Sequence, residues 1–473
     1  MFSKKYWSKK TGIKIGILSI IIAIVFFVFQ IILDIVNNSK TASKEDLLKS
    51  QETIIIPYTN GTYRTIPKDE FEFKQISIKA DSYFDLVDYS NSYLCYTKAY
   101  NYANKLKKRN LILIATFNQG LTQYYLNHYK EALKKFNEYI HNQQDTIFQI
   151  EALFNRANTQ RVLKNFRAAL KDYNKIISLD STYTKAYNNR GEIFDEIGDK
   201  NKALSDYNKA IFLDSNLASA YNNRGIIFSS LHKDSLAIYD FTKAIDLDCN
   251  GHQFYSNRGL IYLRQGKYEL AIIDYSKAIS LGYHDNSIIA ISFYNRSLAY
   301  SKLNKNDKSI DDLNNALELN PQYSMAYYAR GTYHSNKGEN EKAYDDFSNA
   351  IKYDTKNAPA YYNRGNYFLN KKDYNNALND YNEAIKINPN YILPYNNRGL
   401  IYADMGKLHE AERDFFKIIQ LDSNNINAMI NLGFLYVRKN DKTQAIYWLN
   451  KALKKNHLPQ NVRDTILFML NGL

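Results

Sequence analysis

Three series of side chains recur along this sequence, and each has a chemistry suited to binding. Arginine stands at Arg156, Arg190, Arg224, Arg258, Arg296, Arg330, Arg364 and Arg398, and sixteen residues after each comes an aspartate: Asp172, Asp206, Asp240, Asp274, Asp312, Asp346, Asp380 and Asp414. A guanidinium facing a carboxylate forms short, charge-assisted, two-pronged hydrogen bonds. A second series runs through Asn118, Asn155, Asn189, Asn223, Asn257, Asn295, Asn363, Asn397 and Asn431, interrupted only by Ala329. Side-chain amides donate and accept at once, so a file of them suits the backbone of an extended peptide. The third series, Tyr294, Tyr328 and Tyr362, offers neutral, adaptable aromatic contacts.

Reactive chemistry has no comparable signal. The histidines at 128, 141, 232, 252, 284, 334, 409 and 457 show neither an HExxH pair nor a grouping with cysteine at metal-site spacing. No GxGxxG, GxxxxGK[ST] or GxSxG stretch occurs, so no catalytic residue, metal, cofactor or small-molecule substrate is expected. Cys95 and Cys249, the only cysteines, lie too far apart in an elongated chain to pair, and two are too few for a disulfide scaffold.

What positions the three series is a period. The hexapeptide AYNNRG occupies Ala186 to Gly191 and returns at Ala220 to Gly225. Its final small residue recurs at Gly120, Ala157, Gly191, Gly225, Gly259, Ser297, Gly331, Gly365, Gly399 and Gly433, and seven of the nine intervals are 34 residues. The other two are 37 and 38, which places short insertions near Asn142 to Gln144 and near Gly282 to Asn286. Twelve residues after each small residue stands another, from Ala132 to Ala445, and four later a large apolar one, aromatic in eight of ten units. A spacing of four keeps these on one helical face. Each unit therefore reads as a helix, a short polar turn such as the one at Gly198 or Gly266, and a second helix ending near "LD" or "NP".

Period, small residues and aromatics resemble the tetratricopeptide repeat family. The resemblance covers ten units over residues 113–455, with a degenerate eleventh expected over 76–112 and a capping helix over 456–473. It implies an all-α fold: a right-handed superhelical solenoid of ten to eleven helical hairpins, with first helices lining a concave groove. A lone hairpin cannot bury its apolar face, so each unit presents the same interlocking surface to the next. In the hexapeptide, Tyr187 or Tyr221 is expected to fill the groove between helices, and Gly191 or Gly225 to admit the partner backbone.

Counting the small residue as position 8, the arginines fall at position 7 and the aspartates at position 23, which face each other in a hairpin turning near position 14 or 15. This predicts an Arg–Asp ladder within or between units. The family more often carries an apolar residue at position 7, and exposed pairs contribute only about 0.2–1 kcal/mol each, so the ladder is expected to fix register. Inheritance from one recently duplicated unit is the alternative. The first unit has Gln119 and Lys135 at these positions, and the last has Leu432 and Trp448.

The asparagines take position 6. A similar array lines O-linked N-acetylglucosamine transferases, where it holds extended substrate chains, so the resemblance implies a peptide-binding ladder; a packing role common in the family is the competing account. Asn188, Asn222 and Asn396 add further amides, and Glu192, Asp195 and Glu196 form an acidic cluster that either receives a basic segment or is a solvated face. The lysine-rich clamp by which some family members hold acidic C-termini is absent: Asn158 with Asn189 and Asn366 with Asn397 supply its amides, but Phe154, Tyr362, Ser219 and Asn427 stand where its cations belong.

The N-terminus reads differently. Residues 1–14 hold five lysines, and Ile15 to Leu33 are nineteen residues without a charge, long enough to span a bilayer. A transmembrane signal-anchor helix is expected over 15–36, followed by a linker over 37–75 with a small β-hairpin at Asn60-Gly61. A cleaved signal peptide is the rival reading. The lysines put the N-terminus in the cytoplasm and the repeats on the other side, periplasmic if the source is bacterial. Beyond these lysines the net charge of +14 leaves only mild basicity, interspersed with acids, so nucleic acid is not expected as a partner. The expected function is a membrane-anchored scaffold for a protein or peptide. Alternatives are a precursor or cargo receptor similar to mitochondrial import receptors, which needs the repeats in the cytosol, and a non-catalytic subunit of a cell-envelope assembly complex.

Overall fold

A computed structural model describes residues 53–57, 63–282, 286–455 and 458–472. The expected membrane-spanning helix over 15–36 lies outside them; among the described residues no helix is long and apolar enough to cross a membrane. Strands β1 (Thr53–Pro57) and β2 (Tyr63–Pro67) pair antiparallel with Ile55 opposite Thr65, and Ile66 is buried. Helices follow directly from Lys68, so the linker is shorter and the extra helical pair earlier than 76–112: it comprises Lys68–Asp85 and Tyr89–Lys105.

Ten helical pairs come next. The first helices are Arg109–Tyr125, Thr146–Val162, Thr184–Glu196, Ala218–Ser230, His252–Arg264, Asn286–Lys302, Ser324–Asn336, Ala358–Asn370, Ile392–Asp404 and Ile426–Arg438. Their partners are Tyr129–Asn142, Phe166–Leu179, Lys200–Leu213, Asp234–Leu247, Tyr268–Leu281, Asn306–Leu319, Asn340–Tyr353, Tyr374–Ile387, Leu408–Leu421 and Lys442–Leu453. We number these pairs repeats 1 to 10. The chain divides into two compact units, one ending at Phe254 and one beginning at Tyr255, and each is an array of such pairs.

Local chemistry sets the helix ends. Between the helices of a repeat one residue takes positive φ, at no steric cost where it is Gly198. Second helices of repeats 2 to 4 and 6 to 9 end on Asp or Asn, whose side chain accepts from the amide two residues on, as Asp180 does from Thr182 and Asn388 from Asn390. Side chains of Asp199, Asp373 and Asp441 cap the helices that follow them.

Packing explains the two small positions, with one correction. The glycine ending the hexapeptide does not admit a partner backbone: a Cβ on Gly191 would lie 2.7 Å from the Tyr207 ring, and one on Gly225 2.8 Å from Phe241. The ring of the same hairpin's second helix sits on the glycine, and burying each such ring contributes about 1.5–3 kcal/mol. Tyr187 is buried and packs with Ala210 of its own repeat and Ala220 of the next, its hydroxyl donating to the Ser181 carbonyl. At the C-terminal end, helix Gln460–Asn471 lays Val462, Ile466 and Met469 against the core of repeats 9 and 10.

Candidate functional site

Each arginine of the first series makes the same contacts. In repeat 4, Arg224 Nε donates to Asp240 Oδ2 at 2.8 Å and Nη2 to Oδ1 at 2.7 Å. All eight pairs, from Arg156–Asp172 to Arg398–Asp414, close this two-pronged bond within one hairpin, the Nη2–Oδ1 distances running from 2.6 to 2.8 Å. The third nitrogen leaves the hairpin. Nη1 of Arg190, Arg224, Arg330 and Arg398 donates to Asn174, Asn208, Asn314 and Asn382 of the preceding repeat, at 2.5 to 2.8 Å. Arg156 reaches Asn137, and Arg296 reaches Ser276. The pair therefore belongs to one unit and the guanidinium to two.

The exposed-pair expectation needs revising. The aspartate side chains are at most 7% exposed and the arginines between 16 and 24%. The cation is sandwiched on its own helix: Arg224 lies over the Tyr221 and Phe228 rings at 5.6 and 5.8 Å, and Arg398 over Tyr395 and Tyr402 at 5.5 and 5.9 Å. The bond to Asp240 holds the Arg224 guanidinium above its ordinary range, and the partners of Arg258, Arg330 and Arg364 do the same. Removing one partner from such a buried pair strands a charge.

The asparagines divide by what their amides already hold. Asn189 donates to Asn158, Asn223 to Asn188 and Glu192, Asn397 to Asn366, and Asn431 to Asn396, in each case in the preceding repeat. Asn155 donates to the Glu151 carbonyl of its own helix. These amides stitch neighbours together. Asn257 too has a partner. Asn118, Asn295 and Asn363 make no side-chain hydrogen bond among the described residues, and Asn118 is only 7% exposed.

Tyr294, Tyr328 and Tyr362 fall within the second compact unit, with Tyr323 and Tyr391 beside them. The rings of Tyr294 and Tyr323 lie 5.2 Å apart and those of Tyr362 and Tyr391 5.4 Å. Burial pushes the Tyr294 and Tyr391 hydroxyls up, and Tyr328 adds to both, so these two remain neutral. On the same helical face stand Ile291, Met325, Leu393, Leu400 and Phe434, each between 40 and 49% exposed.

The acidic cluster is not a bare receptor for a basic segment. Arg161 reaches Glu192 at 2.9 Å and Lys164 reaches Glu196 at 2.6 Å, both from repeat 2. Burial raises the Glu192 carboxyl, against the pull of Arg161 and the amides of Asn223 and Asn188.

Sequence reasoning missed the acceptors on the second helices. Its signal was available, since Asn137, Asn174, Asn208, Thr242, Ser276, Asn314, Ser348 and Asn382 are all polar, whereas Phe416 stands at this position before Leu432. Among the described residues no group of three or more His, Cys, Asp or Glu side chains is arranged to hold a metal ion.

Comparisons with known proteins agree on the repeat. Family descriptions of a tetratricopeptide repeat match residues 150–183, 184–217, 252–281, 290–323 and 393–425, and one of a TPR repeat matches 365–406. Similar solved structures include YrrB, a TPR protein with an unusual peptide-binding site, at 26% identity over 40% of this chain and 95% of that one, TM-score 0.32. The MamA protein is 24% identical over 37% of this chain and 92% of that one, TM-score 0.32. A tetratricopeptide repeat protein from Parabacteroides merdae is 19% identical over 56% of this chain and 98% of that one, TM-score 0.41. No curated relative matches the chain.

Proposed function

We propose, from the premise that this chain is a tetratricopeptide-repeat protein with multiple repeats, that it is a non-catalytic scaffold binding a protein or extended peptide along the outward face of its first helices. The observation that carries this reading is the recurrence of large apolar side chains left open on that face: Ile291, Met325, Leu393, Leu400 and Phe434, interleaved with Tyr294, Tyr328 and Tyr362. Scattered exposed apolar residues need no explanation, but five at positions 2 and 9 on one face of the first helices of repeats 6, 7, 9 and 10 fit a binding surface. Supercoiling of the array into a right-handed superhelix would make this face its inner wall.

The amides enter this reading in a reduced role. Asn189, Asn223, Asn397 and Asn431 fix the spacing of the first helices, and Asn118, Asn295 and Asn363 are left to meet a ligand backbone. The apolar run from Ile15 to Leu33 would tether the scaffold to a bilayer with its repeats on the side away from the lysine-rich N-terminus. Tethering confines a modest-affinity site beside membrane-bound partners and raises its effective concentration.

A photo-crosslinking residue at Leu393 is expected to capture a partner in the native cell, while the same residue at Leu270, comparably exposed on a second helix, captures none. Equal yields at the two positions overturn the reading. Protease accessibility of the repeats in intact cells tests the orientation, and digestion only after permeabilisation of the cytoplasmic membrane would refute it.

A further inference from the structure

The first insertion reshapes the start of repeat 2. After it, the first helix of repeat 2 is 17 residues long, against 13 in repeats 3 and 4, and its added turn carries Ile147 and Phe148. With Leu113, Phe117 and Ile150 these residues wall a cavity of about 330 Å³ between repeats 1 and 2, inside the first compact unit. That is the lower end of the range for small-ligand sites, enough for one large side chain.

The wall is held in place before anything binds. Gln149 Nε2 donates to the Gln143 carbonyl at 2.7 Å, Asp145 accepts from the Ile147 amide at 2.8 Å, and the Tyr139 hydroxyl donates to the Phe148 carbonyl at 3.4 Å. A preformed apolar socket avoids the ordering cost that a loose loop would add to binding.

Two features give the occupant its chemistry. Glu151 and Asp180 line the cavity, no basic side chain does, and neither carboxylate has an ion-pair partner among the described residues. Glu192 and Glu196, one repeat on, are by contrast paired with Arg161 and Lys164. The Tyr183 hydroxyl donates to Glu151 at 2.9 Å; burial, and then the Glu151 and Asp180 carboxylates, hold that hydroxyl well above its ordinary range. The second feature is Asn118, which lines the cavity, is 7% exposed and makes no side-chain hydrogen bond among the described residues. Its amide can both donate to and accept from a ligand backbone.

We infer that this cavity is a socket for one large apolar side chain of a bound peptide, flanked in that peptide by lysine or arginine, with Asn118 taking a hydrogen bond from or to the peptide backbone. Resting on the scaffold reading above, it names the partner's chemistry at the N-terminal end of the array. The charge contrast favours a cationic flank over a neutral or acidic one.

The test uses the full chain in nanodiscs of neutral lipid and a fluorescein-labelled, amidated peptide of glycine and serine with Lys-Trp-Lys at its centre. Anisotropy titration is expected to show this probe binding at least tenfold tighter than the same peptide with Lys-Ala-Lys or with Glu-Trp-Glu. Ile147→Ser with Phe148→Ser, both exposed enough to leave the core intact, should weaken the probe at least tenfold. Glu151→Gln with Asp180→Asn keeps the acceptors for Tyr183 and Thr182, and should bring the probe down to the affinity of a Ser-Trp-Ser peptide while leaving that peptide's affinity unchanged. Equal binding of Lys-Trp-Lys and Lys-Ala-Lys overturns the socket, as does unaltered binding by either double variant when far-ultraviolet circular dichroism is unchanged. Crosslinking at Leu393 together with indifferent cavity variants removes the socket and leaves the scaffold reading. Probe binding as expected with no crosslink at Leu393 supports the socket and removes the wider stripe.

Discussion

Repeat 4 and repeat 10 close the same hairpin by opposite means. In repeat 4 positions 7 and 23 hold Arg224 and Asp240; in repeat 10 they hold Leu432 and Trp448, both buried. Closing a hairpin therefore does not require charge. What the arginine adds is the third bond, which ties repeat 4 to Asn208 of repeat 3. Repeat 10 replaces that tie with others. Phe416, where Asn208 has its counterpart, packs edge-on against Trp448 at 5.6 Å, while Glu412 of repeat 9 accepts from Lys439 at 2.7 Å and from Tyr436. The ion pair is a joint between repeats more than a clasp within one.

The largest effect should come from stranding the cation. Asp240→Ala leaves the Arg224 guanidinium buried without its carboxylate and is expected to destabilise the array by about 3–5 kcal/mol. Urea denaturation followed by circular dichroism measures it. Transplanting the repeat 10 pair, Arg224→Leu with Asp240→Trp, should recover most of that loss, because a buried ion pair replaced by packed apolar groups is often near neutral. Failure to recover would mean that the tie to Asn208 dominates. Exchanging the charges, Arg224→Asp with Asp240→Arg, should recover less than the apolar pair, since the guanidinium then leaves Asn208 and both flanking rings.

The reverse transplant is next in size. Leu432→Arg with Trp448→Asp puts the ion pair into repeat 10, where Phe416 offers the third nitrogen no acceptor, and should cost about 1–3 kcal/mol. Adding Phe416→Asn should return part of it.

A third variant tests the substitute tie through pH. Burial alone would raise the Glu412 carboxyl, but the bonds from Lys439 and Tyr436 outweigh it and the net shift is downward from 4.5. A carboxylate lowered in the folded state stabilises above its unfolded value and loses that contribution as pH falls through the folded one. Glu412→Gln should therefore cost about 1 kcal/mol at pH 7, and its melting temperature should converge on the parent's as the pH drops below 4.5. A gap that stays constant down to acid pH would assign the tie to packing. The smallest effect belongs to the turns. Lys372 holds φ at 58° where repeat 9 has Gly406 at 72°, so Lys372→Gly is expected to stabilise by about 0.5 kcal/mol. A loss of stability would show that the lysine has a role beyond the turn.

How much of this the sequence discloses depends on whether a feature repeats. The helical pairs are legible because a small residue, as at Gly191, and a large apolar one, as at Tyr207, return in phase through ten units, and a hairpin's geometry then brings positions 7 and 23 face to face. Burial of Asp240 is not legible: charged residues read as surface, and only the rings of Tyr221 and Phe228 around Arg224 show that this surface is covered. The amides mislead for a related reason. Asn223 has one spacing with Asn363, yet Glu192 accepts from the first while the second makes no side-chain hydrogen bond among the described residues, because the partner lies one repeat back and varies. The cavity beside Ile147 is least legible, since an insertion's length tells where a helix gains a turn but not which walls that turn will meet.

The third nitrogen of each arginine also bears on how such an array can change its length. Arg190 reaches back to Asn174 and Arg224 to Asn208, so the acceptor left behind by one repeat is chemically the one the next repeat seeks. Excising the 34 residues from Thr184 to Leu217 would bring Arg224 up to Asn174 and keep that tie, leaving only Arg161 and Lys164 to lose Glu192 and Glu196. Slippage during replication can thus add or drop whole modules with this tie preserved, while in repeat 10 Leu432 has no third nitrogen to offer.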